Sequence, residues 1–120
     1  MDAASFKTLI GSVQKAVPFV EVRAAPASQE YLEGVLHRQD LQRCYALLCE
    51  TLGSPIKEFG KAARFDSKTQ QLIQQLGGIR IDQCLFLLPC GDRQMAFAAL
   101  WPWASDPTRI TLKVGVSTFS

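Results

Sequence analysis

Four cysteines, one histidine and two tryptophans are the residues of this 120-residue chain whose chemistry can single out a function. Thiols and imidazoles hold metals best as closely spaced ligand pairs. Here Cys44 and Cys49 fall on a segment with helical spacing, about 140° apart around its axis, so they share no ligand face. Cys84 and Cys90 lie on a strand and in the turn after it, and neither pair has C-x-x-C spacing. No metal and no cofactor is expected.

Cys90 belongs to the turn cluster Pro89-Cys90-Gly91-Asp92-Arg93, where a thiol is expected at the surface and Arg93 favours its thiolate. It reads as a reactive thiol rather than a catalytic one, because the sequence ties no histidine to it. His37, the sole histidine, has a near-neutral ordinary pKa suited to a general base, yet it sits in the charged run His37-Arg38-Gln39-Asp40. The plainer reading is a surface histidine.

Gly53 and Gly60-Lys61 fail as a phosphate loop: six residues separate the glycines, and Ala62 stands where Ser or Thr would bind magnesium. Lys57, Lys61, Arg64 and Lys68 form a loosely basic stretch able to neutralise phosphate. Glu58 and Asp66 dilute it, and it reads as a solvated loop. Trp101-Pro102-Trp103 is the strongest candidate, because tryptophan fills desolvated pockets at binding hot spots. Alternation places Trp101 with Met95 and Phe97, towards the core, whereas Trp103 follows a proline that breaks pairing and is expected near the surface. Arg109 and Lys113, on the outward face of the following strand, complete the candidate partner-binding set.

The elements that position these residues follow from periodicity. Phe6, Leu9, Ile10, Val13 and Val17 predict a helix over 5–17, with Ser5 as its cap and Pro18 as its end. Residues 19–23 alternate and are either a fourth strand or a linker, and 24–27 read as a loop. Leu32, Val35, Leu36, Leu41, Cys44, Tyr45, Leu48, Cys49 and Leu52 predict helix over 28–52, capped by Ser28 with Glu30 at its positive end. The stripe slips at 37–40, where Asp40 can cap a second segment. Gly53 followed by Pro55 ends it. Residues 55–64 read as a loop anchored by Ile56 and Phe59. Ser67-x-x-Gln70 matches a capping box opening a short helix that ends at Gly77-Gly78.

Strand-like runs at 79–88, 94–101 and 109–116 then form a three-stranded meander. In the last, Ile110, Leu112, Val114 and Val116 face inward, and Arg109, Thr111 and Lys113 outward, which predicts an edge strand or a solvated face. The small Ala96 and Ala98 admit close approach by another element. The run 84–88 is apolar on both faces and needs cover from a helix or a partner chain. Helices first and hairpin-linked strands last predict one α+β domain over 1–120, its helices packed on a single antiparallel sheet of three or four strands.

A net charge of +2 is too small to imply nucleic acid or an anionic membrane. The apolar run Met95 to Leu100 is far too short to span a bilayer. The first residues carry no basic leader and long apolar stretch, and the chain has no Asn, so a cytoplasmic setting with reduced cysteines is expected. The most economical function is an intracellular interaction or regulatory domain, not an enzyme. It would bind a partner protein or its own copy, as a homodimer, through the sheet and the tryptophan corner. The alternatives are a small enzyme or ligand-binding protein and a nucleic-acid accessory protein. The first would use a pocket between helix 28–52 and the sheet with Cys90, Asp92, Arg93 and His37; the second would use the basic loop 57–68.

Overall fold

Phe6, Leu9, Ile10, Val13 and Val17 recur at helical spacing, and all five are buried along helix α1 (Ala3–Ala16) and the residue after it. The computed structural model describes residues 3–24, 31–91 and 93–118. The helix begins ahead of Ser5, so Ser5 lies inside it rather than capping it. Pro18 leads straight into strand β1 (Phe19–Ala24), which decides the choice between strand and linker in favour of a strand.

Tyr31–His37 is strand β2, where helical spacing predicts the first half of a long helix. Leu32, Val35 and Leu36 fit a helical period, and Gly34 interrupts the alternation that would have marked a strand. That glycine also explains the outcome. Glycine weakens a helix by about 1 kcal/mol relative to alanine, and here it makes room for a neighbour. A Cβ built on Gly34 would lie 2.8 Å from Phe19 Cδ1 and 3.2 Å from the Glu21 carbonyl oxygen. Ser28 and Glu30 fall outside the described residues.

A single 3-10 turn, Arg38–Asp40, then leads into helix α2 (Leu41–Leu52), which buries Cys44, Leu48 and Leu52 at i, i+4 and i+8. Asp40 occupies the N-cap position, but its side chain makes no capping hydrogen bond. Gly53, at φ +80°, closes the helix with its amide on the Cys49 carbonyl at 2.9 Å.

Helix α3 (Ser67–Gln75) is capped one residue earlier than the capping box implies: Asp66 is the N-cap, and its carboxylate accepts from the Thr69 amide at 2.8 Å. Gln70 instead donates to the Phe65 carbonyl at 3.3 Å. Strand β3 (Cys84–Gly91) also starts later than periodicity suggests, with turn and coil over 79–83, and is followed by β4 (Gln94–Pro102) and β5 (Arg109–Thr118).

The domain is α+β, with one five-stranded antiparallel sheet in the order β1-β2-β5-β4-β3, one strand more than the upper expectation. The C-terminal meander is present, but β5 is the central strand and not an edge, because β2 pairs along it from Tyr31↔Gly115 to His37↔Arg109. The missed strand accounts for that error.

The sheet has two covered faces. On one, α1 and α2 bury Leu32, Leu36, Phe86, Ala98, Leu100, Ile110, Leu112 and Val114. Tyr45 meets Phe86 edge-on there, with ring centroids 5.4 Å apart. On the other, Leu72 and Ile73 of α3 cover Leu85, Leu87, Phe97 and Ala99, so the doubly apolar run in β3 is sandwiched between helices of its own chain. Each fully buried Leu or Phe contributes about 1.5–3 kcal/mol. No helix among the described residues is long and apolar enough to cross a membrane.

Candidate interaction surface at the tryptophan corner

Strand alternation carries Trp101 onto the α3 face of β4, and pairing with β5 continues through Pro102 to Trp103 instead of breaking at the proline, which puts Trp103 on the same face. Trp101 pairs with Thr111, and the Trp103 amide donates to the Arg109 carbonyl at 3.0 Å. The Trp103 indole Nε1 donates to Thr111 Oγ1 at 2.8 Å. Lys113 Nζ lies 4.1 Å from the Trp101 ring centroid, and the Arg23 guanidinium 5.5 Å from that of Trp103, both within cation–π range. Lys113 also faces Glu33 Oε1 at 4.0 Å, and Arg109 Nε faces Asp106 Oδ2 at 3.3 Å.

Trp101, Trp103, Arg109 and Lys113 therefore share one face of the sheet. All four are half-buried, so neither tryptophan is loosely exposed and neither is fully core. Trp101 Nε1 is buried without a hydrogen-bond partner among the described residues, an arrangement that costs about 1–3 kcal/mol.

One hollow opens beside the corner and a second adjoins it. One, of about 490 Å³, is lined by Arg38, Leu41, Phe59, Gly60, Asp82, Pro102, Trp103 and Pro107. The other, of about 250 Å³, is lined by Leu41, Gln42, Tyr45, Glu58 and Phe59. Leu41 and Phe59 line both, so the hollows are neighbours along the seam between α2 and the sheet. Arg38 fixes one wall: its amide donates to the Thr108 carbonyl at 2.8 Å and its Nη1 to the Pro107 carbonyl at 3.1 Å.

The opposite wall is held by Lys57 and Glu58. Lys57 is 4% exposed, and its ammonium donates to the carbonyls of Glu58 at 2.9 Å, Gln83 at 2.7 Å and Ile81. All three ammonium protons are thus used, and the lysine ties segment 55–58 to the turn before β3. Burial pushes its pKa down, while nearby acidic groups, Asp82 and Glu58 among them, push back. Glu58 accepts from the Tyr45 hydroxyl, from the Phe59 amide at 3.0 Å and from the Cys84 thiol at 3.7 Å. Burial works to raise the Glu58 carboxyl, but these hydrogen bonds and the Lys61 charge outweigh it and hold the group below the ordinary carboxylate range. The same contact, with burial, raises the Tyr45 hydroxyl. Burial first, then Glu58, pushes the Cys84 thiol up to about 12.

No family model, no curated protein and no solved structure matches this chain.

The reactive groups expected of an enzyme are not assembled at this seam. His37 is exposed at the end of β2, opposite Arg109 and near the corner. Cys90 and Arg93 lie at the other end of the sheet, around the β3–β4 turn, and Asp92 lies outside the described residues. Cys90 is on β3 and half-buried against the α1–α2 core, where turn composition predicts an exposed thiol. All four cysteines are free, and no group of three metal-ligating side chains occurs among the described residues. The basic loop loses Lys57 to its carbonyl cage, leaving Lys61, Arg64 and Lys68 exposed; its expected anchor Ile56 is exposed as well.

Sequence reasoning does not single out Lys57, Glu58 and Tyr45 as a cluster. Tyr45 and Glu58 are 13 residues apart, and no motif links them. What brings Lys57 to the cluster is its short bridge to Leu85, a tertiary contact that the sequence does not signal.

Proposed function

We propose that this domain is a non-catalytic interaction module that receives an extended segment of a partner polypeptide along the seam between α2 and the sheet, with Trp103 as the anchor. The carrying observation is the pair of adjoining hollows lined by Tyr45, Phe59, Trp103, Pro102 and Pro107. Aromatic-lined grooves accept extended, proline-rich or apolar segments because such segments lose little conformational entropy on docking. The walls are held by hydrogen bonds from Arg38 and Lys57 to backbone carbonyls, so the groove is formed before the partner arrives. Arg38 and Asp82 supply one charge of each sign to set the register. A cytoplasmic setting and association with a second copy belong to the same reading.

A random peptide library selected against the immobilised domain tests it. Peptides that bind wild type and lose at least about tenfold in affinity for a Trp103→Ala variant of unchanged circular dichroism are expected. A selection that yields no binder, or binders indifferent to Trp103, contradicts the proposal.

A further inference from the structure

Two sheet edges exist, and they differ. The outer edge of β3 is partly occupied: Ile56 and Lys57 donate to the Leu85 carbonyl at 2.9 and 3.3 Å, and the Leu85 amide returns a bond to the Lys57 carbonyl at 2.9 Å. β1 has β2 as its single neighbour among the described residues. It also carries Val20, 41% exposed, and Val22, 50% exposed, which are two of the four large apolar side chains left exposed among the described residues. Backbone donors and acceptors that no described strand pairs, beside exposed valines, are a template for another strand.

The order of charges on β1 selects the occupant. Glu21 and Arg23 flank Val22 and lie on the same side of the strand, joined by an ion pair of 3.6 Å. In an antiparallel pair the residues directly opposite each other share a face. When β1 meets its own inverted copy with Val22 on the two-fold axis, Val22 faces Val22, and each Glu21 faces the Arg23 of the other copy. Moving the axis to Glu21 sets like charges against each other. Moving it between the two residues sets Glu21 against valine and mismatches the faces. Irregularities in the pairing with β2 fall between Phe19 and Glu21 and between Val22 and Ala24, so Glu21–Val22 is the regular step of β1, and Arg23 lies at the second irregularity with its side chain held beside Glu21 by the ion pair.

We infer that the β1 edge is a self-pairing surface whose occupant is the β1 strand of a second copy of this chain, in antiparallel register about Val22. The pairing joins two sheets into one continuous antiparallel sheet and doubles the ion pairs of Glu21 and Arg23 by symmetry. It rests on the interaction-module reading and names one partner for it. The Arg23 guanidinium over Trp103 links this edge to the corner.

Sedimentation equilibrium of the full chain, up to about 100 µM, tests the inference. Wild type is expected to show a reversible monomer–dimer equilibrium. Glu21→Arg and Arg23→Glu each set like charges together and are expected to weaken it on the order of tenfold or more. The double reversal restores the opposite pairs and should recover the wild-type constant. Val22→Lys, at an exposed position, should also dissociate the dimer without unfolding the chain. Wild type at the mass of one chain throughout overturns the inference and leaves the peptide-groove reading to its own selection. A dimer indifferent to the reversals but lost in Trp103→Ala also overturns it, and assigns self-association to the corner instead.

Discussion

Lys57 is the residue on which the geometry of the seam depends most. A buried ammonium is costly unless its protons are all bonded, and here three backbone carbonyls take them. Lys57→Met keeps the aliphatic stem and leaves those carbonyls without a donor. The expected cost is about 2–4 kcal/mol, read as a lower urea midpoint with an unchanged slope. A midpoint within experimental error of wild type would show that the cage does not hold the turn. The buried thiols make a separate prediction about pH. Burial pushes both Cys44 and Cys84 from 9.0 up to about 12. A folded pKa above the unfolded one means that the folded chain keeps protons the unfolded chain releases. Their contribution to stability is therefore fully present below pH 9 and falls as pH rises from 9 towards 12. The loss reaches up to about 1.4 kcal/mol per pH unit for each thiol. The raised tyrosines, Tyr31 and Tyr45, act in the same direction and the lowered Lys57 in the opposite one. Cys44→Ala should flatten the alkaline limb of a stability–pH curve, and an unchanged limb would contradict the assignment to Cys44.

The strands depend on small residues that are easily misread. Gly34 lets the Phe19 ring cross β2, so Gly34→Ala should cost about 1–3 kcal/mol through overpacking and should speed amide exchange in β1 ahead of the other strands. Exchange in β1 that matches wild type would mean the ring moves aside freely. The three inner strands β2, β5 and β4 should exchange slowest, because each pairs on both sides. Apolar alternation made β4 and β5 legible, down to which of their side chains share a face, and the meander with them. The helical stripes of α1 and α2 were equally plain. β2 was not, because Leu32, Val35 and Leu36 satisfy helical spacing as well as they satisfy a strand with a glycine in its alternation. Missing that one strand turned the central β5 into an apparent edge. The four residues proposed from the corner do share a face, but alternation within each strand places Trp101 towards the core and Arg109 and Lys113 outward, and it is the β4–β5 register, running through Pro102 to Trp103, that brings them together. The Lys57–Glu58–Tyr45 wall was illegible because its contacts depend on how α2 settles against β3.

For the molecule as a whole, helices of the same chain pack on both faces of the sheet among the described residues, and the α2–sheet seam and the β1 edge are the surfaces we propose for a partner. Both converge on Trp103, which lies against Arg23 of β1 and lines the larger hollow. Docking of a partner segment at this seam is best followed through amide and indole shifts in the nitrogen–proton spectrum of the labelled domain as a selected peptide is added. The largest changes are expected on the Trp103 indole and on the amides of Leu41, Phe59 and Gly60, with α3 undisturbed. Changes confined to α3 or to the β3–β4 turn, with the Trp103 indole unmoved, would contradict docking at the seam.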